Sequence, residues 1–305
     1  MAIPVSYSPL QTAQNPSSFS PSAAKPSIVA AALLEQGYPV AFQRPRPLLF
    51  SELCRAHDPA YVQGVLSCEE PNGFGNQDPD VARSLPYTSG SMLGAALAAT
   101  PGMPSASLTS GFHHACWSQG GGFCTFNGLM ITAAALLATG KADRVAILDC
   151  DAHYGNGTDD ILHHRLDLAP RIIHRTMGGS RSQGSRYLSK LRVFLADIRG
   201  FNPDIILYQA GADPHISDPL GGVITTEEMA QRDRMVFEFA RDGGFPLAWN
   251  LAGGYQRGGA TGIDPVLALH LNTFREACRA YGLSVPPAMS GVTWGAQHDH
   301  SEDRW

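Results

Sequence analysis

Short β-prone runs alternate with longer helical stretches along this chain, and that alternation constrains the fold more than any other feature. The runs are 40–42, 106–109, 145–149, 171–174, 205–209 and 245–250. The helical stretches are 91–99, 126–139, 185–198, 227–241 and 264–281, the last opening with Asp264-Pro265, a capping residue and then a proline where a helix tolerates one. The runs are largely apolar, as strands buried on both faces are. Strands alternating with helices make βαβ units and a parallel sheet. The expectation is therefore α/β, a three-layer parallel sheet with helices on both faces. With 305 residues the chain is long enough for two domains, but no repeat or linker divides it, so 1–305 reads as one domain. Residues 1–27 are expected to be loop-rich. Within them 11–27, polar and Pro/Ser-rich, reads as a surface loop, and the polar tail 298–305 reads as surface.

Composition narrows the function. Charged residues are 16% of the chain, against about 25% in an average one, so the core is large. Lys+Arg 22 against Asp+Glu 27 gives a net charge of -5. No basic excess recommends nucleic acid or an anionic membrane as partner. The longest apolar runs, 28–34 and 131–138, fall far short of the roughly 20 residues a membrane span needs. The first 20 residues carry no basic, apolar leader, and six scattered cysteines show no CxxC pair. A cytoplasmic protein is expected.

The residues just past the strand ends carry the chemistry. After 106–109 comes Ser110-Gly-Phe-His-His114, and after 145–147 comes Leu148-Asp-Cys-Asp-Ala-His153. After 205–208 comes Gln209-Ala-Gly-Ala-Asp213, and after 245–249 comes Asn250-Leu-Ala-Gly-Gly-Tyr255. Parallel strands deliver all four loops to one edge of the sheet, where such folds bind ligands. Asp151, His153 and Asp213 offer three ligands and leave a position open, the pattern of a catalytic Zn²⁺. Aspartates and histidines after strands also cap helices and shape turns, so the trio alone leaves both readings open. Asp149 points the same way along its strand as Asp151 and needs a cation or proton between the two. His113 and His114 are adjacent on a loop, where one can serve as general base and then acid beside a metal-activated water. Tyr255, behind two glycines, can donate to a carbonyl oxygen that becomes an oxyanion. His163-His164 follows no strand end and reads as solvated.

Taken together, these residues resemble the histone deacetylase superfamily, of arginase-like α/β fold, from residue 57 to residue 259. The family's His-His dyad is matched by Gly111-Phe-His-His114, and its Gly-Phe-Cys run by Gly122-Phe-Cys-Thr-Phe-Asn127. Its D-x-D-x-H segment is matched by Asp149-Cys-Asp-Ala-His-Tyr-Gly-Asn-Gly-Thr158. Gly211-Ala-Asp-Pro-His215 with Asp218-Pro-Leu-Gly221 matches the segment bearing its second aspartate ligand. The resemblance implies that Asp151, His153 and Asp213 hold Zn²⁺, and that His114 is the general base and acid. It implies that His113 assists electrostatically, that Asp149 and Asn156 orient His113 and His114, and that Tyr255 polarises the carbonyl. Phe123 would flank the channel, and the Gly122 carbonyl would accept the substrate amide N–H. A K⁺ ion would sit nearby, on Asp149, the Asp151 and His153 carbonyls and Thr176. The implied substrate is an acetyl-lysine peptide or a small acetylated amine such as a polyamine.

The chain departs from the pattern at several points. Gly-Phe precedes the dyad in place of Pro-Gly, Ala252 stands where many members have glycine, and the family's N-terminal His-Pro-Glu-Arg segment is missing. Thr176-Met-Gly-Gly-Ser180 stands where a second channel aromatic is usual, which would widen the mouth. Two rivals remain. A binuclear-manganese ureohydrolase would need an aspartate where Gly155 stands and a D-x-D in place of Ala212-Asp213. A non-catalytic acyl-ligand binder would be expected to lack Tyr255 or one dyad histidine. Glu69 and Glu70 would hold a substrate cation or peptide backbone, or lie solvated in a loop.

Overall fold

The computed structural model describes residues 1–14, 18–179 and 185–295. Seven strands form one sheet: β1 (Ile3–Ser6), β2 (Val40–Gln43), β3 (Ser105–Ser107), β4 (Val145–Asp149), β5 (Ile172–Thr176), β6 (Ile205–Gln209) and β7 (Leu247–Asn250). Their order is β2-β1-β3-β7-β6-β4-β5, with every pair parallel. The strands that carry chemistry at their ends, β3, β7, β6 and β4, are thus four consecutive neighbours. Every residue of those four is buried, as the apolar runs of β4, β6 and β7 require, and the serines of β3 are buried with them. At the carboxyl edge the register aligns Ser107, Asn250, Gln209, Asp149 and Thr176 across the sheet. An apolar sheet therefore ends in one polar row, and the row ties down the loops. Gln209 accepts the Phe112 N–H at 3.0 Å and donates to Asp149 at 3.2 Å, and Asn250 donates to the Ser110 carbonyl at 2.9 Å.

The helices are α1 (Lys25–Glu35), α2 (Phe50–Leu53), α3 (Pro59–Leu66), α4 (Pro79–Ala98), α5 (Gly128–Ala138), α6 (Asn156–His164), α7 (Ser185–Phe201), α8 (Thr226–Gly243) and α9 (Asp264–Ala280). Alternate strand residues feed two cores. Ala146, Leu148, Ile206 and Tyr208 pack toward α1, α7, α8 and α9. Val145, Ile147, Ile205 and Leu207 pack toward α3, α4 and α5. These are the three layers expected of the pattern.

Several boundaries differ from the sequence reading. The first 27 residues are not mainly loop at their ends. Ile3–Ser6 is a strand second from the sheet edge, too short and too interrupted by Pro4 to stand out by pattern. Residues 11–27 are not simply surface either, because Gln11, Ser20, Ser22 and Lys25 are buried. The helix expected over 91–99 begins at Pro79 and runs through Pro86, which costs it an N–H but not its packing, since Val81, Leu85, Met92 and Leu93 are buried. Asp264 does not cap α9. Its carboxylate turns back to accept N–H groups from Ala260 and Thr261 at 2.8 and 2.9 Å. The tail 298–305 lies outside the described residues. No described helix is long and apolar enough to cross a membrane.

Candidate active site

The end of β4 supplies Asp149, the loop after it Asp151 and His153, and the loop after β6 supplies Asp213. One ligand atom from each of Asp151, His153 and Asp213 lies within 4.8 Å of the others. His153 Nδ1 stands 2.8 Å from Asp213 Oδ2 and 3.1 Å from Asp151 Oδ1. Two ligands of a tetrahedral zinc at about 2.0–2.2 Å would stand roughly 3.4 Å apart, so the trio is close to the spacing such an ion imposes. Asp213 Oδ2 is buried and, despite its nearness to His153, no donor is aligned on it. Burial and the Asp151 charge push the Asp213 carboxyl up to about 8. The Asp151 and Asp213 carboxylates beside its ring hold His153 up, at about 11. Two buried carboxylates facing one imidazole demand positive charge, and a divalent ion fits that donor set.

The His pair follows β3. His113 is buried and its Nδ1 lies 2.7 Å from Asp149 Oδ2. Asp149 Oδ1 accepts the Asp151 N–H at 3.1 Å as well as the Gln209 amide. Burial alone would lower the His113 pKa, but Asp149 and Asp151 raise it to about 9. His114 is driven the other way, lowered by burial and then by the charge on His113. Its Nδ1 lies 2.6 Å from Asn156 Oδ1. With that oxygen an acceptor, neutral His114 carries its proton on Nδ1 and leaves Nε2 as a base.

Two further loops close the pocket. Tyr255 is 9% exposed, and its N–H donates to Asp218 Oδ2 at 2.8 Å. The turn before it needs Gly253, at φ +55, because a Cβ there would lie 2.5 Å from Asp213 Oδ1. Gly122 and Phe123 both take positive φ, 52° and 64°. For Phe123 that costs roughly 1–2 kcal/mol. The Phe123 N–H donates to the Gly73 carbonyl at 2.9 Å, and the Phe123 ring centroid stands 5.5 Å from that of Tyr255. His113, Gly122, Phe123, Asp151, Gly253 and Tyr255 all line one pocket.

Other sequence candidates lie elsewhere. His57 and Tyr61 are braces: His57 Nε2 accepts the Asn127 N–H at 2.8 Å, and Tyr61 donates to the Thr125 carbonyl at 2.7 Å. Glu69 and Glu70 are exposed beyond α3 and are not among the pocket-lining residues. His163 and His164 are exposed at the end of α6. The sequence reading missed Lys25 and His174. Lys25 is fully buried, donates to the Gly253 carbonyl at 2.6 Å, and is lowered by burial to about 7. His174 bonds Asp159 at 2.7 Å and lies 4.0 Å from Asp149 Oδ2. A lysine in a Pro/Ser-rich stretch carries no signal, whereas a histidine amid a β-branched strand does.

Comparison with known proteins agrees first on fold. The acetylpolyamine aminohydrolase of Burkholderia pseudomallei superposes with a TM-score of 0.73 at 19% identity, over 92% of this chain and 99% of that one. The architecture is thus arginase/deacetylase-like. The profile of the histone deacetylase domain matches residues 21–180 and 179–263, and the chain belongs to the histone deacetylase family. An uncharacterized protein of Picosynechococcus is 30% identical over 223 residues, 66% of this chain and 74% of that one. Histone deacetylase 2 of Arabidopsis thaliana is 34% identical over 192 residues, 56% of this chain. That match spans 49% of the Arabidopsis protein.

Proposed function

We propose that the chain is a zinc-dependent amidohydrolase that removes an acetyl group from an amine, either a lysine side chain or a small acetylated amine. The observation that carries this reading is the pair of adjacent histidines beside the Asp151–His153–Asp213 trio, His113 backed by the Asp149 carboxylate and His114 by the Asn156 amide oxygen. Those three residues would hold Zn²⁺, which when bound polarises the substrate carbonyl and acidifies water. His114, neutral with Nε2 free, takes the proton from the attacking water and returns it to the departing amine. His113, kept protonated by Asp149, stabilises negative charge as it develops on the carbonyl oxygen. The Tyr255 phenol donates to the same oxygen. Asn156 fixes the His114 tautomer. The ring of Phe123 flanks the entering chain, and the Gly122 carbonyl accepts the amide N–H. The K⁺ expected near Asp149 fits less well. Both Asp149 oxygens already accept hydrogen bonds. No step of the reaction depends on it. A ureohydrolase is disfavoured, because any side chain at position 155 would meet Asp149 Oδ2 at 2.6 Å. All six cysteines are unpaired, which suits a reducing cytoplasm.

The test is direct. Zinc-loaded protein should release acetate from a fluorogenic acetyl-lysine amide or an acetylpolyamine, with one zinc per chain. Zinc bound at that ratio without turnover of either substrate would overturn the hydrolase reading.

A further inference from the structure

The pocket carries a cluster of rings at Phe123 and Tyr255. Phe123 meets Tyr255 at 5.5 Å and Phe74 at 5.8 Å, and Phe19 stands edge-on to Phe123 at 5.3 Å and 6.4 Å from Tyr255. Behind His153 the chain turns through Gly178 and Gly179, where a side chain is not accommodated. A Cβ on Gly178 would lie 1.9 Å from the His153 carbonyl oxygen, and Gly179 has φ +72.

Phe19 stands out in this cluster. It comes from the segment before α1, far in sequence from the strand-end loops, yet its ring touches two pocket residues. It is nevertheless 60% exposed. Core packing does not account for a large ring left this open, whereas a surface awaiting a ligand does. The backbone beneath it is tied to the site, because the Arg257 guanidinium donates to the Phe19 carbonyl. Arg257 lies two residues after Tyr255 and is itself exposed, so the clasp that holds Phe19 also leaves a positive charge on the rim.

We infer that Phe19, clasped by Arg257, is a specificity-determining wall of the entrance, and that the entrance selects acetylated amines with a neutral, apolar stem over polycationic ones. The inference rests on the deacetylase reading and deepens it. The stem of an acetylated lysine in a neutral peptide lies against the rings of Phe19 and Phe123. A polyamine brings ammonium groups up to Arg257, where like charges repel.

The test compares a neutral acetyl-lysine peptide amide with N-acetylspermidine on the zinc-loaded full chain. Wild type should prefer the peptide in kcat/KM. Phe19→Ala should raise KM for the peptide roughly three- to tenfold, the scale of one aromatic contact, with the loss falling on KM rather than kcat. Phe19→Trp should restore it. Arg257→Gln should improve acetylspermidine relative to the peptide, and the gain should shrink as salt is added. A wild type that prefers acetylspermidine, or a Phe19→Ala variant with KM unchanged, overturns the inference and leaves the hydrolase standing. A zinc-loaded wild type that turns over neither substrate overturns both.

Discussion

Two imidazoles one peptide bond apart are driven in opposite directions by what lies behind them, a carboxylate for His113 and an amide oxygen for His114. That difference makes the roles separable. In kcat/KM the acidic limb should fall below the ordinary histidine range, because the His114 pKa is lowered, and the basic limb above that range, where His113, backed by Asp149, loses its proton. His114→Ala should cost about 10²–10⁴ in rate and flatten the acidic limb. His113→Ala should cost less. A His113 variant more damaged than its neighbour, both retaining zinc, would reverse the assignment. Tyr255→Phe keeps the ring and removes one donor, for an expected loss of about 10²–10³ in kcat at undiminished zinc content. Normal turnover by that variant would take the phenol out of the chemistry. These residues were legible because charged and aromatic groups at the ends of fully apolar strands have no packing reason to be there. Lys25 and Phe19 were not, since nothing in a polar segment tells which of its residues fold inward.

Among the elements, α3 shows how a motif can belong to a site without entering it. Asp58 caps the helix, accepting from the Ala60 N–H at 2.8 Å and the Tyr61 N–H at 3.3 Å. The helix then aims Tyr61 at the Thr125 carbonyl, beside the Gly122–Phe123 turn. Asp58→Ala should cost about 1 kcal/mol of stability. In a chain of this size that lowers Tm by about 2–4 °C, readable by calorimetry, with zinc content unchanged. An unaltered Tm would mean the cap contributes nothing. The family-like His57–Tyr61 stretch was visible in the sequence, but its bracing role was not, because the partner loop lies some 60 residues away. α4 was half legible for a local reason: Pro86 reads as a stop, and only its packing overrides it.

For the molecule as a whole, the buried trio couples metal, protons and stability. The Asp213 and His153 pKa values lie above their unfolded ones, so in metal-free protein each contributes stability at low pH that is lost as pH rises through its folded value, about 8 for Asp213 and about 11 for His153. Zinc must displace those protons, so its apparent affinity should climb between pH 6 and 8. The rise in Tm on adding zinc should widen over the same range. Calorimetric titration in buffers of different ionisation enthalpy should show proton release, and Asp213→Ala should lose the affinity and reduce its pH slope. A pH-independent affinity would mean that these carboxylates do not hold the ion. The sheet order has one more consequence, for how the chain comes off the ribosome. β7 lies between β3 and β6 and alone joins β2-β1-β3 to β6-β4-β5. Until residue 250 has been synthesised, the nascent protein holds two half-sheets, each with an unpaired edge strand that the finished fold buries. Such edges invite pairing with other chains. Production of this protein should therefore be limited less by the stability of its finished fold than by how long translation leaves β3 and β6 waiting for their shared neighbour.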